Sequence, residues 1–245
     1  MVAGRRELLL EVAADLIARH GFAKTAVADV AEAAGIAKGS VYREFASKDE
    51  LLAALLRTRS LRLIERVCEA VEADPDGSRL SAVYRHGLRA LLDDPLLCAL
   101  YTRDSRVLGA LVRGHGPGSP HPDWAGEIVL ALRDAGLIRS DLPTDAVAHV
   151  LGVITTGMIT IGGTAGTGPA PAVEGTFRVL TELIAGGLEP VAPADPGSGR
   201  RAVRALADRF GARIAGSDQP EREQPPGRHT AGPAVDRAPT TCRRP

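Results

Sequence analysis

Residues 25–51 read TAVADVAEAAGIAKGSVYREFASKDEL. Thr25 is a good N-cap residue, and Asp29 falls in the first turn after it, where a carboxylate faces the positive end of the helix dipole. Val27, Val30, Ala31 and Ala34 place small apolar side chains on one face, so a neighbouring helix can approach closely. Gly35 supplies a positive φ for a tight turn at no steric cost, with Ile36 placed to drop into the core beneath. A second helix runs from about Lys38 to Phe45, with Val41 and Phe45 facing inward at i and i+4 and Lys38, Gly39, Ser40, Tyr42 and Arg43 on other faces. Ser47, with Glu50 three residues later, is a capping box for a third helix carrying Leu51, Leu52, Leu55 and Leu56. Two short helices joined by a glycine turn make a helix-turn-helix, a shape that sets its second helix against a DNA groove.

Upstream, Leu8, Leu9, Val12, Ala13, Leu16 and Ile17 recur on one helical face, and Gly21 followed by Phe22 ends that helix with a C-cap and its hydrophobic contact. Downstream the pattern stays helical. Residues 61–72 continue a long helix or start another, and Asp74-Pro75-Asp76-Gly77 is a turn. Ser78 caps a helix through Leu92, another spans about Leu96 to Val112, and Asp123 caps one through Ala135 that Gly136 stops before Leu137 and Ile138. Pro143, Thr144 and Asp145 open a helix so apolar on every side that it must be covered all round, and a further amphipathic helix spans Val173 to Ile184. The fold expected is all-α: a three-helix helix-turn-helix DNA-binding domain over residues 1–51 and a second helical domain over 52–190. Residues 191–245 form a Pro/Gly/Arg-rich tail, with one helix at 200–214 and disorder after Gly216, where too little apolar surface offsets the ordering entropy.

Thirty basic residues balance thirty acidic ones, so any attraction to DNA must come from a local patch rather than a global field. Cys68, Cys98 and Cys242 are far apart with no CxxC, which disfavours a disulfide framework and points to a reducing, cytoplasmic setting. Glu7, Glu11 and Asp15 break what would otherwise be a signal peptide. The run from Ala146 to Gly163 is short for a bilayer span and is diluted by His149, threonines and glycines, so it reads as a buried helix. The histidines lack ligand spacing: His115 and His121 sit in the Gly/Pro loop 114–122, and His149 reads as a hydrogen-bonded interface or pocket residue. Gly162 to Gly168 follow a helix and lack the Lys-Ser/Thr of a phosphate loop, so they read as a linker. No nucleophile with a neighbouring base and no carboxylate pair stands out; the chain does not read as an enzyme, and no metal or cofactor is implied.

The order Thr, apolar pair, Ala-Gly-Ile, Lys-Gly-Ser-Val-Tyr, Phe, Ser-Lys-Asp-Glu-Leu resembles the DNA-binding domain of TetR/AcrR-family transcriptional regulators over roughly residues 5–56. Two positions depart from that pattern. Ala37 stands where serine is common as an N-cap, a change that costs roughly 0.5–2 kcal/mol unless other groups compensate. Glu44 stands where many members carry histidine or another phosphate-compatible residue, and it weakens a phosphate contact unless it points away or pairs with Arg43. The resemblance implies a homodimer on a palindromic double-stranded operator, released by a small-molecule effector, with the last two apolar helices of the regulatory domain at the dimer interface. A regulator without a ligand, controlled by a protein partner, is the alternative.

By chemistry, Lys38 and Lys48 neutralise phosphates, Thr25 and Tyr42 offer hydroxyls or helix amides to the backbone, Gly39 and Ser40 admit the helix to base edges, and Arg43 reaches a guanine or a phosphate. Candidates for an effector cavity between regulatory helices are Tyr84, Leu88, Cys98, Leu100, Tyr101, Val129, Leu132 and Met158. With few aromatics and few interior charges, such a cavity suits an apolar or mildly polar compound.

Overall fold

The computed structural model describes residues 4–108, 124–164, 171–191, 195 and 197–216. Among them every regular element is a helix: α1 (Arg5–His20), α2 (Val27–Ala33), α3 (Lys38–Glu44), α4 (Lys48–Ala73), α5 (Leu80–Leu92), α6 (Pro95–Tyr101), α7 (Ser105–Leu108), α8 (Trp124–Asp134), α9 (Thr144–Thr164), α10 (Pro171–Gly187) and α11 (Ser198–Gly216). The all-α expectation holds. Two apolar cores organise these helices. The first gathers α1, α2, α3 and the start of α4, together with Leu96 and Ala99 of α6 and Leu108 of α7. The second gathers the far part of α4 with α5, α8, α9, α10 and α11.

The long-helix option is the one adopted: α4 runs unbroken for 26 residues, with Leu51, Leu52 and Leu55 in the first core and Cys68 and Val71 in the second. A boundary at residue 51 therefore falls inside a helix, and the first core extends into α6 and α7. Between those two helices the chain breaks at Arg103, the one non-glycine positive φ among the described residues, at 53°. Arg103 N–H bonds the Leu100 carbonyl and Asp104 N–H bonds the Ala99 carbonyl, a Schellman closure without glycine. The single helix expected from Leu96 to Val112 is thus two, and its end lies outside the described residues.

Several expected caps are replaced. Thr25 is not the N-cap of α2. Its hydroxyl turns inward to donate to the Gly21 carbonyl at 3.0 Å, and Ala26 takes the cap position, its N–H bonded to Asp29 at 2.8 Å. Ser47 does cap α4, accepting from Glu50 N–H at 3.0 Å, but the Glu50 carboxylate returns to Ala46 N–H rather than to that of Ser47. Ser78 does not cap α5, because the tight α4–α5 turn carries the chain one residue further before the helix begins at Leu80. A buried carboxylate from far along the chain serves instead: Glu189 accepts from Ser81 N–H at 2.8 Å and from Arg79 Nη2 at 2.7 Å. Gly136, with φ 78°, ends α8 as expected and delivers Leu137 and Ile138 to the core.

The helix expected at 200–214 forms as α11 and is an integral part of the second core, not an appendage. Val203, Leu206, Phe210 and Ile214 are buried, each contributing about 1.5–3 kcal/mol of transfer free energy. Trp124 stacks on Phe210 at 4.8 Å, and Arg213 pairs with Glu127, so α11 locks onto α8. At its other end Gly199 lies so close to Ser78 that a Cβ would meet Ser78 Cα at 2.6 Å, and Arg200 donates to the Asp74 carbonyl at 2.6 Å. The tail beyond Gly216, and its expected disorder, lies outside the described residues, as do Asp123 and the loop 114–122.

The apolar helix α9 is covered on one side only. Val147, Leu151, Thr155 and Ile159 are buried, while Val150, Val153 and Ile161 are exposed by about half or more. Its window Thr144–Ile161 has a mean hydropathy of 1.4 and is 22% buried, which makes it long and apolar enough to cross a membrane by length and composition.

Because Glu189 serves both the α5 amide and Arg79, Glu189→Ala should lower stability by about 1–3 kcal/mol. Glu189→Gln, which keeps a carbonyl for the amide, should lose less. Urea midpoints at unchanged m-value read this, and an alanine variant with an unshifted midpoint refutes the cap.

Candidate functional site

The turn before α3 is fixed by local chemistry. Gly35 has φ 66°; its N–H bonds the Glu32 carbonyl, and Ile36 N–H bonds the Ala31 carbonyl, the paired contacts of a Schellman motif. Ile36 then packs against the first core. α3 is anchored from below by Val41 and Phe45, each 1% exposed. Its N-cap, Ala37, makes no side-chain bond, so nothing there replaces the missing serine. Its C-terminal end is held instead by Arg6, which donates to the Glu44 carbonyl at 2.8 Å and lies over the Phe45 ring at 4.3 Å. A cation at a helix C-terminus is favoured by the dipole. Arg6 did not stand out in the sequence, because only the fold brings α1 to the end of α3.

Lys38, Gly39 and Arg43 are exposed, Tyr42 is 46% exposed and Ser40 is half-buried, so the structure gathers these five candidates on the outer surface of one helix. Lys38 Nζ lies 5.9 Å from the centre of the Tyr42 ring. Arg43 Nη2 donates to Ser40 Oγ at 2.7 Å; it is Ser40, not Glu44, that holds the guanidinium. Lys48, at the start of α4, rests its ammonium 4.2 Å from the centre of the Phe22 ring, and Asp49 and Glu50 follow it directly. Thr25 is 4% exposed and its hydroxyl is engaged, so the side-chain phosphate contact expected of it is not presented.

The eight expected cavity residues are not brought to one cavity. Leu88, Val129 and Leu132 are each 3% exposed in the second core, with Met158 packed against it, while Leu100 belongs to the first core. Tyr84 donates to the Leu151 carbonyl at 2.9 Å and bonds Thr155 Oγ1 at 2.7 Å; burial, against the Thr155 bond, pushes its hydroxyl up to about 12. Cys98 Sγ bonds the Leu91 carbonyl, and burial with the charges of Asp94 and Asp93 pushes the thiol up to about 11, which keeps it protonated. Periodicity marked these residues as inward-facing, which is what a core and a cavity have in common.

Of the eight, Tyr101 alone lines an open cleft of about 830 Å³ between α8 and α9. Its walls include Ala125, Gly126 and Leu130 of α8 and Ala148, Gly152 and Val153 of α9, with Asp145 and His149 at one end. The signal for it in the sequence was the run of small residues on α8 and α9. A second, polar recess of about 400 Å³ lies among Glu11, Arg59, Arg62 and Asp94, where α1, α4 and α6 meet. Among the described residues no group of three or more His, Cys, Asp or Glu gathers as a metal site. His115, His121, Cys242 and the glycines of 165–168 lie outside the described residues.

Residues 9–55 match the family described as bacterial regulatory proteins, tetR family, the stretch that builds α1 to α3 and the start of α4. The HTH-type transcriptional repressor KstR2 of Rhodococcus jostii (strain RHA1) is 30% identical over 148 residues, covering 58% of this chain and 72% of that protein. Among solved structures, the ketosteroid transcriptional regulator KstR2 of Mycobacterium tuberculosis aligns over 78% of this chain and 97% of its own, with a TM-score of 0.53 and 25% identity. The regulator FadR of Bacillus subtilis, solved in complex with stearoyl-CoA, shares the fold at a TM-score of 0.55 and 17% identity, over 74% of this chain and 97% of its own. With the motif seated on a helix anchored by Val41 and Phe45 and the likeness running through the regulatory helices, the chain belongs to the TetR family of bacterial regulatory proteins, as a DNA-binding helix-turn-helix regulator of transcription and not an enzyme.

Proposed function

We propose that the chain is a homodimeric repressor that sets its two α3 helices into successive major grooves of a palindromic operator, about 34–36 Å apart, and releases them when a small effector binds. The observation that carries this reading is the outer surface of α3, where Lys38, Tyr42 and Arg43 stand free of the core that Val41 and Phe45 complete. Tyr42, Lys38 and Lys48 are the backbone contacts in this reading, Gly39 and Ser40 admit α3 to the base edges, and Arg43 reaches a guanine or a phosphate. An operator partner places the protein in the cytoplasm.

Pairing is supported by one continuous kind of surface. Val150, Val153 and Ile161 on α9 and Val179 and Leu183 on α10 are 48–69% exposed, and a monomer in water gains nothing from leaving them so. Covering by a second copy is the natural end for such faces, and it accounts for the composition of α9 without a membrane. Ile154, on the same helix, packs inward against the second core and is not part of this face.

The α8–α9 cleft is the effector site in this reading. Its walls are largely apolar, and of its two acidic groups, Asp145 and Glu127, the second is paired with Arg213, so the cleft suits a neutral apolar body. The relative named as a ketosteroid regulator fits a neutral apolar effector. Tyr101 ends α6, whose Leu96 and Ala99 sit in the first core, and Val107 of α7 accepts from Phe22 N–H at 2.7 Å, so a ligand touching Tyr101 is a few residues from the DNA-binding helices. Release requires that the effector bind the non-DNA conformation more tightly, since equal affinity shifts nothing.

Tyr42→Ala and Lys48→Ala should each weaken binding across DNA sequences, and Lys48→Ala should reduce the slope of log affinity against log salt by about 1. Titrations over a salt series read this, and an unchanged slope removes Lys48 from the backbone. Aspartate at Val153 or Val179 should dissociate the dimer; sedimentation that still finds a dimer at micromolar protein counts against the proposed face. A neutral apolar compound that raises the melting temperature and lowers operator affinity should do neither with Gly152→Leu, where a side chain would project toward Tyr101. Retention of both effects places the effector elsewhere.

A further inference from the structure

Which of the exposed groups on α3 reads a base is decided by the direction in which the core pulls the helix. Successive residues lie about 100° apart around an α-helix. Val41, the buried residue within α3, defines the buried direction, and Arg43, two residues on, falls about 160° from it. Tyr42 and Lys38 lie nearer the flank, about 100° and about 60° from that direction on the same side, with the Lys38 ammonium 5.9 Å from the centre of the Tyr42 ring. When the helix is seated with its buried face away from DNA, Arg43 is aimed at the groove floor and the Lys38–Tyr42 pair at the wall, where the phosphates are.

Two further observations bear on Arg43. Its Nη2 is held by Ser40 Oγ at 2.7 Å, one turn back along the same helix, so a long flexible side chain is restrained before any DNA arrives. That bond uses one of five N–H donors and leaves a pair free for bidentate contact. Beside it, Gly39 has an ordinary negative φ and an open space where a Cβ would be, so the fold does not require glycine there. The absent side chain instead leaves the approach to the groove clear on the N-terminal side of Arg43.

The geometry points to Arg43 as the residue that specifies a guanine in each half-site, through its O6 and N7, with Ser40 as the positioning residue that orients the guanidinium. This rests on the DNA-binding reading and decides what that reading leaves open, whether Arg43 meets a base or a phosphate. A phosphate contact would carry no sequence information, whereas a bidentate guanine contact discriminates by roughly 5- to 150-fold against the wrong base.

The test is selection of double-stranded DNA from a random pool by the full chain, followed by affinity measurements on the selected site and its single-base variants over a salt series. The unsubstituted protein should select a two-fold symmetric site with guanine at one position per half. Arg43→Ala, whose melting temperature should match the parent because the side chain is exposed, should keep the symmetry and spacing but lose the preference at that position, with the salt slope unchanged. Ser40→Ala should reduce the guanine preference several-fold, and Ser40→Thr should restore it. If Arg43→Ala keeps the guanine and instead loses affinity uniformly with a smaller salt slope, Arg43 is a phosphate contact and the inference fails while DNA binding stands. Unchanged preference in Ser40→Ala overturns the positioning role. No selected sequence with the parent protein overturns both readings together.

Discussion

One unbroken helix serves both cores, and the remaining helices are arranged around that fact. α4 is 26 residues, about 39 Å at the usual rise, and its Leu51, Leu52 and Leu55 close the DNA-binding core while Cys68 and Val71 enter the regulatory one. No loop between the two parts absorbs a change of angle. α1 is tied to the middle of α4 by Arg59 to Glu11 and by Arg62 to Glu7 and Glu11, and Arg59 reaches on to Asp94, the N-cap of α6. The pairs to Glu7 and Glu11 have largely exposed carboxylates and add little stability singly. Their contribution is directional: three helices meet at fixed angles on the way to α3.

The second route between the cores is less rigid. α6 and α7 belong to the DNA-binding core by their apolar residues, yet the seam between them is closed by Arg103 in a backbone conformation that disfavours side chains by about 1–2 kcal/mol. That local cost is carried by Asp94, which caps α6 with two accepted bonds, and by the hydrogen bond from Phe22 to Val107. Tyr101 stands next to this seam and lines the open cleft. The helix end nearest the cleft is thus also the one followed by the positive φ of Arg103.

What could be read from the sequence was what neighbours in sequence decide. The glycine turn at Gly35, the inward pair Val41 and Phe45, and the Ser47 cap depend on residues within a turn of one another, and they formed as their spacing dictates. Arg6 and Glu189 depend on partners 38 and 108 residues away, so no local pattern marks them. The break at Arg103 carries neither glycine nor proline, and it went unread for that reason. α11 was legible as a helix from its apolar period, but its place in the core was not, because a Pro- and Arg-rich neighbourhood looks like a tail until α4 and α8 are set against it. Cavity residues were the least legible, since inward-facing periodicity does not distinguish filled space from empty space.

The charge balance gives these local details more weight. With thirty basic and thirty acidic residues, and with Asp49 and Glu50 directly after Lys48, the sequence-independent attraction to DNA has few contributors. A regulator with a large basic surface can tolerate a weak base contact, because phosphates hold it near the site. In the proposed complex the Lys38–Tyr42 pair and Lys48 supply a small positioning term. If α3 enters the groove as proposed, discrimination between an operator and other DNA depends on the few groups aimed at the groove floor, among which Arg43 has both the reach and the donors to read a base pair. A helix held by Val41, Phe45 and Arg6 keeps that one side chain in place, which is why the packing beneath α3 matters to specificity and not only to stability.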